Sequence, residues 1–343
     1  MTEPASYPVY ADLRWPRMTG IAQVQAACCA AAPPHVHLVD LRVSSSLGSP
    51  AAPLAVACAL QRTHKGAGVF WNPGFLPPLW AQIPSVVTVH DLTHRLFYSR
   101  LHRAYYDIVL KPLYRQCDAI ICVSEFTRDT FLAWSKMAPD KVHVVLNGVS
   151  PEYAANSETL DLPYSYVLYP GNHRPYKNLA RLLEAYARSR LPQNDIHLVL
   201  TGQIHPGLQS QAEALGIPDR VHFCGWLDIP DLPKLYRGAL AIVYISLYEG
   251  FGLPIVEGMA SGVPVMTSNI SSMPEIAGDA ALVVDPYSVP EITEGLNTLA
   301  LDNTARRQLI ARGAARVSQF AWKDSAARLW GIIDSVAARG VKS

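Results

Sequence analysis

Residues 249–257 carry the strongest chemical signal in this chain. They read EGFGLPIVE: two carboxylates, Glu249 and Glu257, separated by seven residues that include two glycines and a proline. Gly250 and Gly252 let backbone approach a ligand closely. Pro254 suits a helix start, where its missing N–H is not needed, and Gly262 suits the helix end. A glycine loop that feeds a short helix presents unsatisfied N–H groups at the positive end of a dipole, an arrangement suited to a diphosphate. A carboxylate accepts hydrogen bonds from vicinal hydroxyls, so one acid is expected to hold sugar hydroxyls and the other a ribose diol. The competing reading leaves Glu257 complementing the helix dipole and Glu249 solvated. The joint pattern of acid, glycines, proline and acid weighs against it.

A second group lies at residues 170–178, PGNHRPYKN. Gly171, the cations Arg174 and Lys177, and a helix start follow an apolar run. Such cations stabilise a leaving diphosphate more in the transition state than in the ground state. Thr201 and Gly202 end the next apolar run and are expected near a nucleotide. Trp226 and Leu227 follow the run after that, and Trp226 either stacks on a base or packs its own loop. In the first half, His90 sits at the carboxyl end of an apolar run, followed by Asp91. Ser124 is an N-cap candidate. Segment 93–117 interleaves Arg95, Arg100, Arg103, Lys111 and Arg115 with Phe97, Tyr98, Tyr105, Tyr106 and Tyr114. That composition suits an anionic lipid surface or a lipid-diphosphate acceptor, and equally a helix with a solvated basic face.

These residues need elements to hold them. Short β-rich runs are expected at 36–41, 68–71, 85–90, 119–123 and 142–146, and at 166–169, 197–201, 220–223, 240–245, 263–267 and 281–284. Helical patterns alternate with them, at 101–116, 125–133, 179–189, 231–237 and 254–261. Continuous apolar strands alternating with helices imply parallel sheets covered on both faces, and there are too many for one sheet. The expected organisation is an N-terminal Rossmann-like acceptor domain (1–150), a linker (151–164), a C-terminal Rossmann-like nucleotide-sugar domain (165–322) and a final helix (323–343) crossing back to the first domain. Two doubly wound sheets facing across a cleft would place ligands at strand carboxyl ends.

The motif EGFGLPIVE, with SGVPVMTSNISSMPEIAGDAALVVDP after it and VHFCGWLDIPDLPKLYRGALAIVYISLYEG before it, resembles glycosyltransferase family 4, retaining enzymes of the GT-B fold. The resemblance implies that Glu249 contacts the donor sugar, Glu257 the ribose, and backbone around Phe251–Leu253 the phosphates. It makes Lys177 one of a basic pair at the diphosphate. The position after Gly171, often basic in relatives, is Asn172 here, which leaves Arg174 as the replacement cation. Gly20 looks like the family's first-loop glycine, and His90 would lie beside the sugar and acceptor, donating to the sugar or supporting the nucleophile. Trp226 and Leu227 would line the base. The form GNHRPYKN is similar to bacterial mannosyltransferase-like members that build surface polysaccharides, lipopolysaccharide among them. GDP-mannose is therefore the first donor expected and UDP-sugars the next, with a glycan or lipid-linked acceptor.

Composition bounds the rest. The 343 residues are half apolar and carry a net charge of +1, which does not suit a nucleic-acid binder. The six cysteines lack CxxC spacing and read as buried thiols of a reducing compartment. No signal-peptide pattern or membrane-length apolar run is present, so a cytoplasmic protein, in peripheral contact with the inner membrane surface or free of it, is expected. Asp228, Asp231 and Asp285 are scattered, so no metal is expected, and no cofactor, since the nucleotide sugar is a substrate. The alternatives are a sugar-nucleotide epimerase or hydrolase of the same fold, and a non-catalytic nucleotide-sugar-binding module.

Overall fold

The computed structural model describes residues 6–16, 19–228 and 230–340. The chain forms two compact units, Met1–Gly148 with Ala321–Ser343, and Val149–Phe320. In the first unit six parallel strands form one sheet: β1 (Tyr7–Ala11), β2 (Val36–Asp40), β3 (Val69–Asn72), β4 (Ser85–Val89), β5 (Ala119–Cys122) and β6 (Val142–Val144). Their order is β2-β1-β3-β4-β5-β6. The second unit repeats the plan with β7 (Ser165–Tyr169), β8 (Ile196–Leu200), β9 (Val221–Phe223), β10 (Ala241–Tyr244), β11 (Val265–Ser268) and β12 (Leu282–Val284). Its order is β12-β11-β10-β7-β8-β9, every pair parallel. Each unit is thus doubly wound, and strand order reverses between β1 and β3 and between β7 and β10.

The pleat explains the near-continuous apolar runs. In the first unit Val9, Val69, Trp71, Val86 and Ile121 face one layer of helices. Tyr10, Phe70, Val87, Val89 and Ile120 face the other. Because both faces are covered, no polar alternation is left in the strands. The final helix, Trp322–Gly340, belongs to the first layer, with Leu329, Trp330, Ile333 and Val336 all buried. Trp330 packs edge-on against Trp71 at 5.5 Å and donates to the Cys28 carbonyl at 3.0 Å.

Three expectations are refined. Residues 151–164 do not form a plain linker: the chain crosses at 148/149, and 151–155 form a helix of the second unit. Pro151 starts that helix and the buried Tyr153 anchors it. The basic segment is not one α-helix. Arg100–Tyr105 and Lys111–Gln116 flank a wider turn at Tyr106–Leu110, where the Lys111 N–H reaches back to the Tyr106 carbonyl. Pro112 cannot donate to the ladder, and the widened turn absorbs that loss. All six cysteines are free, but only Cys28, Cys117 and Cys122 are buried.

Candidate active site

The site is built where β7 and β10 lie side by side. Tyr244 ends β10, and the chain runs through Ser246–Gly252 into the helix Leu253–Ala260. Gly252 is the N-cap, with φ of 102°, a left-handed conformation that favours glycine. Gly258 lets this helix settle onto β10 and β11: a Cβ there would lie 2.8 Å from both Ile242 and Val265 side chains. Hydroxyl groups hold the preceding loop. Ser271 donates to the Glu249 carbonyl at 2.6 Å and accepts from its N–H at 2.9 Å. Ser272 donates to the Glu249 and Phe251 carbonyls at 3.0 and 2.9 Å.

The loop after β7 is sewn to this one. Asn178 adopts a left-handed conformation and donates to the Ile245 and Pro286 carbonyls at 3.1 and 2.7 Å. The Leu247 N–H donates to the Tyr176 carbonyl at 2.7 Å. The result is a short, fixed separation between Lys177 and Glu249. Lys177 Nζ donates to Glu249 Oε1 at 2.6 Å and to the Tyr244 hydroxyl at 2.7 Å, and that hydroxyl donates to the same Oε1 at 2.7 Å. Lys177 is only 7% exposed. A buried ammonium beside a carboxylate at a helix start can meet a diphosphate on one side and hydroxyls on the other.

Glu257 lies on the second turn of the same helix and faces inward. It is 6% exposed, and its Oε2 accepts from the Tyr236 hydroxyl at 2.6 Å. Burial pushes its carboxyl up to about 7, against the opposing pull of hydrogen bonds from Tyr236 and Tyr153. A ribose diol reaching this acid has to compete with Tyr236. Nearby, Thr201 Oγ1 accepts from the Gly171 N–H at 2.7 Å, and Gly202 N–H donates to the Gly225 carbonyl at 2.7 Å. Trp226 follows that bridge and is 57% exposed, and Leu227 is half-buried. Arg174 is exposed, three residues from the buried Lys177.

In the first unit, Gly20 opens the helix Gly20–Ala30, capped by the Thr19 side chain. His90 stands just past β4. Its Nε2 lies 2.7 Å from the Pro73 carbonyl, and burial lowers its pKa. A carbonyl only accepts, so the proton sits on Nε2 and the neutral ring offers Nδ1 as an acceptor.

Residues 154–316 match the family described as Glycosyl transferases group 1, and residues 48–153 match Glycosyltransferase Family 4. The chain is 32% identical over 283 residues to O-antigen chain mannosyltransferase B of Escherichia coli, spanning 75% of this chain and 71% of that protein. The chain belongs to glycosyltransferase family 4. It is also 30% identical over 274 residues to MMP alpha-(1->4)-mannosyltransferase of Mycolicibacterium hassiacum, spanning 75% of this chain and 66% of that one. Among solved structures it is similar in fold to sucrose-phosphate synthase of Thermosynechococcus elongatus, with TM-score 0.76, 18% identity, and 97% and 100% of the two chains covered. A protein of Anabaena solved with UDP-glucose gives TM-score 0.74 and 17% identity over 98% and 99%. The architecture is GT-B, with two doubly wound Rossmann-like domains.

In this glycosyltransferase the structure brings Gly171, Lys177, Thr201, Gly202, Glu249, Gly250, Phe251, Gly252 and Leu253 to the carboxyl ends of the interior strands β7, β8 and β10 of one sheet. It changes three sequence expectations. His90 cannot donate to a sugar while its Nε2–H is held by Pro73, so it is an acceptor. Arg95, expected at a lipid or an acceptor, is already engaged within its own segment: it pairs with Asp107 at 2.8 Å and lies 5.6 Å over the Trp134 ring. Arg100 and Arg103 remain exposed. Glu257 is engaged by tyrosines. Sequence reasoning missed Tyr244, Tyr236 and Tyr153 altogether. Only the place of Tyr244, last in the strand before the motif, could have flagged it. It also missed Asp12, fully buried at the end of β1 and paired with Arg14 at 2.7 Å. Among the described residues no cluster of His, Cys, Asp or Glu could hold a metal ion, and no helix is long and apolar enough to cross a membrane.

Proposed function

We propose that this enzyme transfers a hexose, mannose in the first instance, from GDP-mannose to a glycan or lipid-linked acceptor in surface polysaccharide synthesis, with retention and without a metal. The Lys177–Glu249 pair at the start of the Leu253–Ala260 helix carries this reading. Lys177, Arg174 and the helix N-terminus would receive the charge that builds on the leaving diphosphate. Glu249 would hold sugar hydroxyls, Trp226 would stack on the base, and Glu257 would take the ribose once its bond to Tyr236 opens. Gly20 would let backbone approach the donor phosphates, and the Nδ1 of His90 would accept a hydrogen bond from a hydroxyl.

Retention is proposed as same-face substitution through an oxocarbenium-like state, the departing phosphate helping to take the acceptor proton. Glu249 is already bonded to a lysine and a tyrosine, which does not suit a covalent nucleophile and argues against a double displacement. The mannosyltransferase relatives support a mannosyl donor. The Anabaena neighbour bound to UDP-glucose keeps UDP-sugars as the second reading.

Contact with anionic membrane lipid is also proposed. Leu101 and Ile108 are 81% and 73% exposed, next to Arg100, Arg103 and Lys111 on the same helical segment.

A thermal-shift panel tests the donor. A ligand at a hundred times its Kd adds about 2.7 kcal/mol of stability, so GDP-mannose is expected to raise Tm by several degrees. Stabilisation by UDP-glucose alone would overturn the donor. Anomeric NMR of the product and turnover in EDTA test retention and metal independence. A Glu249→Ala variant is expected to lose about a hundredfold or more in kcat; wild-type transfer by that variant would remove the site assignment. Donor consumption that needs no acceptor would favour an epimerase or hydrolase, and binding with no turnover a non-catalytic module.

A further inference from the structure

We propose that the Tyr244 hydroxyl is the positioning group of the donor site: it fixes Glu249 through Oε1 so that Oε2 meets the sugar, and it holds the Lys177 ammonium until a diphosphate takes it. This rests on the donor-site reading above and adds a residue to it.

The hydrogen-bond chemistry admits one arrangement. An ammonium only donates, so the Tyr244 oxygen accepts from Lys177, and its single proton goes to Glu249. Both bonds to Glu249 fall on Oε1, and Oε2 has no partner among the described residues. The carboxylate is therefore held by one oxygen and presents the other.

The tyrosine itself is rigid. It is 3% exposed, its ring stacks on Tyr169 at 6.2 Å and 20°, and its carbonyl accepts from Thr267 at 2.8 Å. Burial raises its pKa well above the usual phenol value, so the proton stays in place.

The need for a third group follows from what a donor does to the pair. A lysine and a glutamate bonded to each other satisfy each other, and a diphosphate sugar pulls them apart. Without a third group the freed carboxylate would rotate, and holding the reacting geometry is a large part of the rate. The hydroxyl keeps a bond to Oε1 after Lys177 turns to phosphate.

The test is Tyr244→Phe, which keeps the ring and its stacking. Calorimetry with GDP and GDP-mannose, and in parallel with UDP and UDP-glucose, measures what the sugar adds to affinity. Steady-state kinetics give kcat, and melting gives Tm. The expected result has four parts: Tm within a few degrees of wild type, nucleoside-diphosphate affinity within about threefold, the sugar's increment lost, and kcat lower by roughly tenfold to a hundredfold, the range for a hydrogen bond to a charged group. A Tyr244→Phe variant with wild-type kcat and sugar increment overturns the proposal. So does one whose lost activity tracks a large fall in Tm, because the hydroxyl would then be structural. Glu249→Ala separates this failure from that of the donor site. If Glu249→Ala loses the sugar increment and Tyr244→Phe does not, only the role of Tyr244 falls. If neither loses it, or if wild type shows no increment with either sugar, the donor-site reading falls and this one with it.

Discussion

Glu257 makes stability depend on pH through one buried carboxyl. Its pKa rises from 4.5 to about 7 on folding, because burial disfavours the charge more than the tyrosine hydroxyls favour it. Between those values the folded state binds more protons than the unfolded chain. Its contribution is therefore fully present below pH 4.5 and is lost as pH rises through 7, by about 3 kcal/mol in all. Urea unfolding of wild type and Glu257→Gln at pH 5 and pH 8 checks this. The variant is expected to gain on wild type by about 2 kcal/mol or more between the two, and an equal difference at both pH values would refute it. The acids and the lysine were legible in the sequence because glycines and a proline in fixed order around them have few structural uses. Tyr244, Tyr236 and Tyr153 were not, because a buried tyrosine is as often packing as chemistry, and only distances tell them apart.

At the scale of elements, the start of the Leu253–Ala260 helix depends on Gly252. A side chain there must adopt φ near 102° and meet Ile255 at 3.0 Å. Gly252→Ala is expected to cost about 1–2 kcal/mol of stability, from the backbone term, and to weaken nucleoside-diphosphate binding. Chemical denaturation and calorimetry read the two effects separately. The segment Arg100–Gln116 gives the second prediction at this scale. Its most exposed apolar side chains, Leu101 and Ile108, pack against no core, so their replacement is expected to leave Tm unchanged. Co-sedimentation with vesicles of phosphatidylglycerol and phosphatidylcholine is expected to fall roughly tenfold in Leu101→Glu with Ile108→Glu, which removes apolar insertion and adds repulsion. Binding equal to wild type would exclude this face as the lipid contact. The sequence disclosed the cations here but not which were spent: Arg95 is taken by Asp107, twelve residues on, a pairing set by the wide turn and its flanking helices.

For the whole molecule, the first unit needs both ends of the chain. Val149–Phe320 interrupt it, and Trp322–Gly340 return to cover β1, β3 and β4. Trp330 is 1% exposed against Trp71 and Cys28. Trp330→Ala is expected to destabilise the first unit by about 3–5 kcal/mol. Differential scanning calorimetry should resolve this as one transition moving down, and a loss confined to the second unit would contradict the assignment.

By itself the sequence determined that strands and helices alternate, that two doubly wound units result, and that the loop at residues 249–257 suits a diphosphate. Each of these follows from local rules: apolar period, turn chemistry and helix starts. What only the tertiary structure decided is who stands next to whom. β7 and β10 are neighbours though far apart in the chain, with Leu168 opposite Ile242. That adjacency places Lys177 within 2.6 Å of Glu249, and Tyr244 against both. Strand order is set by how whole sheets cover their apolar faces, a sum over many distant contacts that no single stretch of residues encodes.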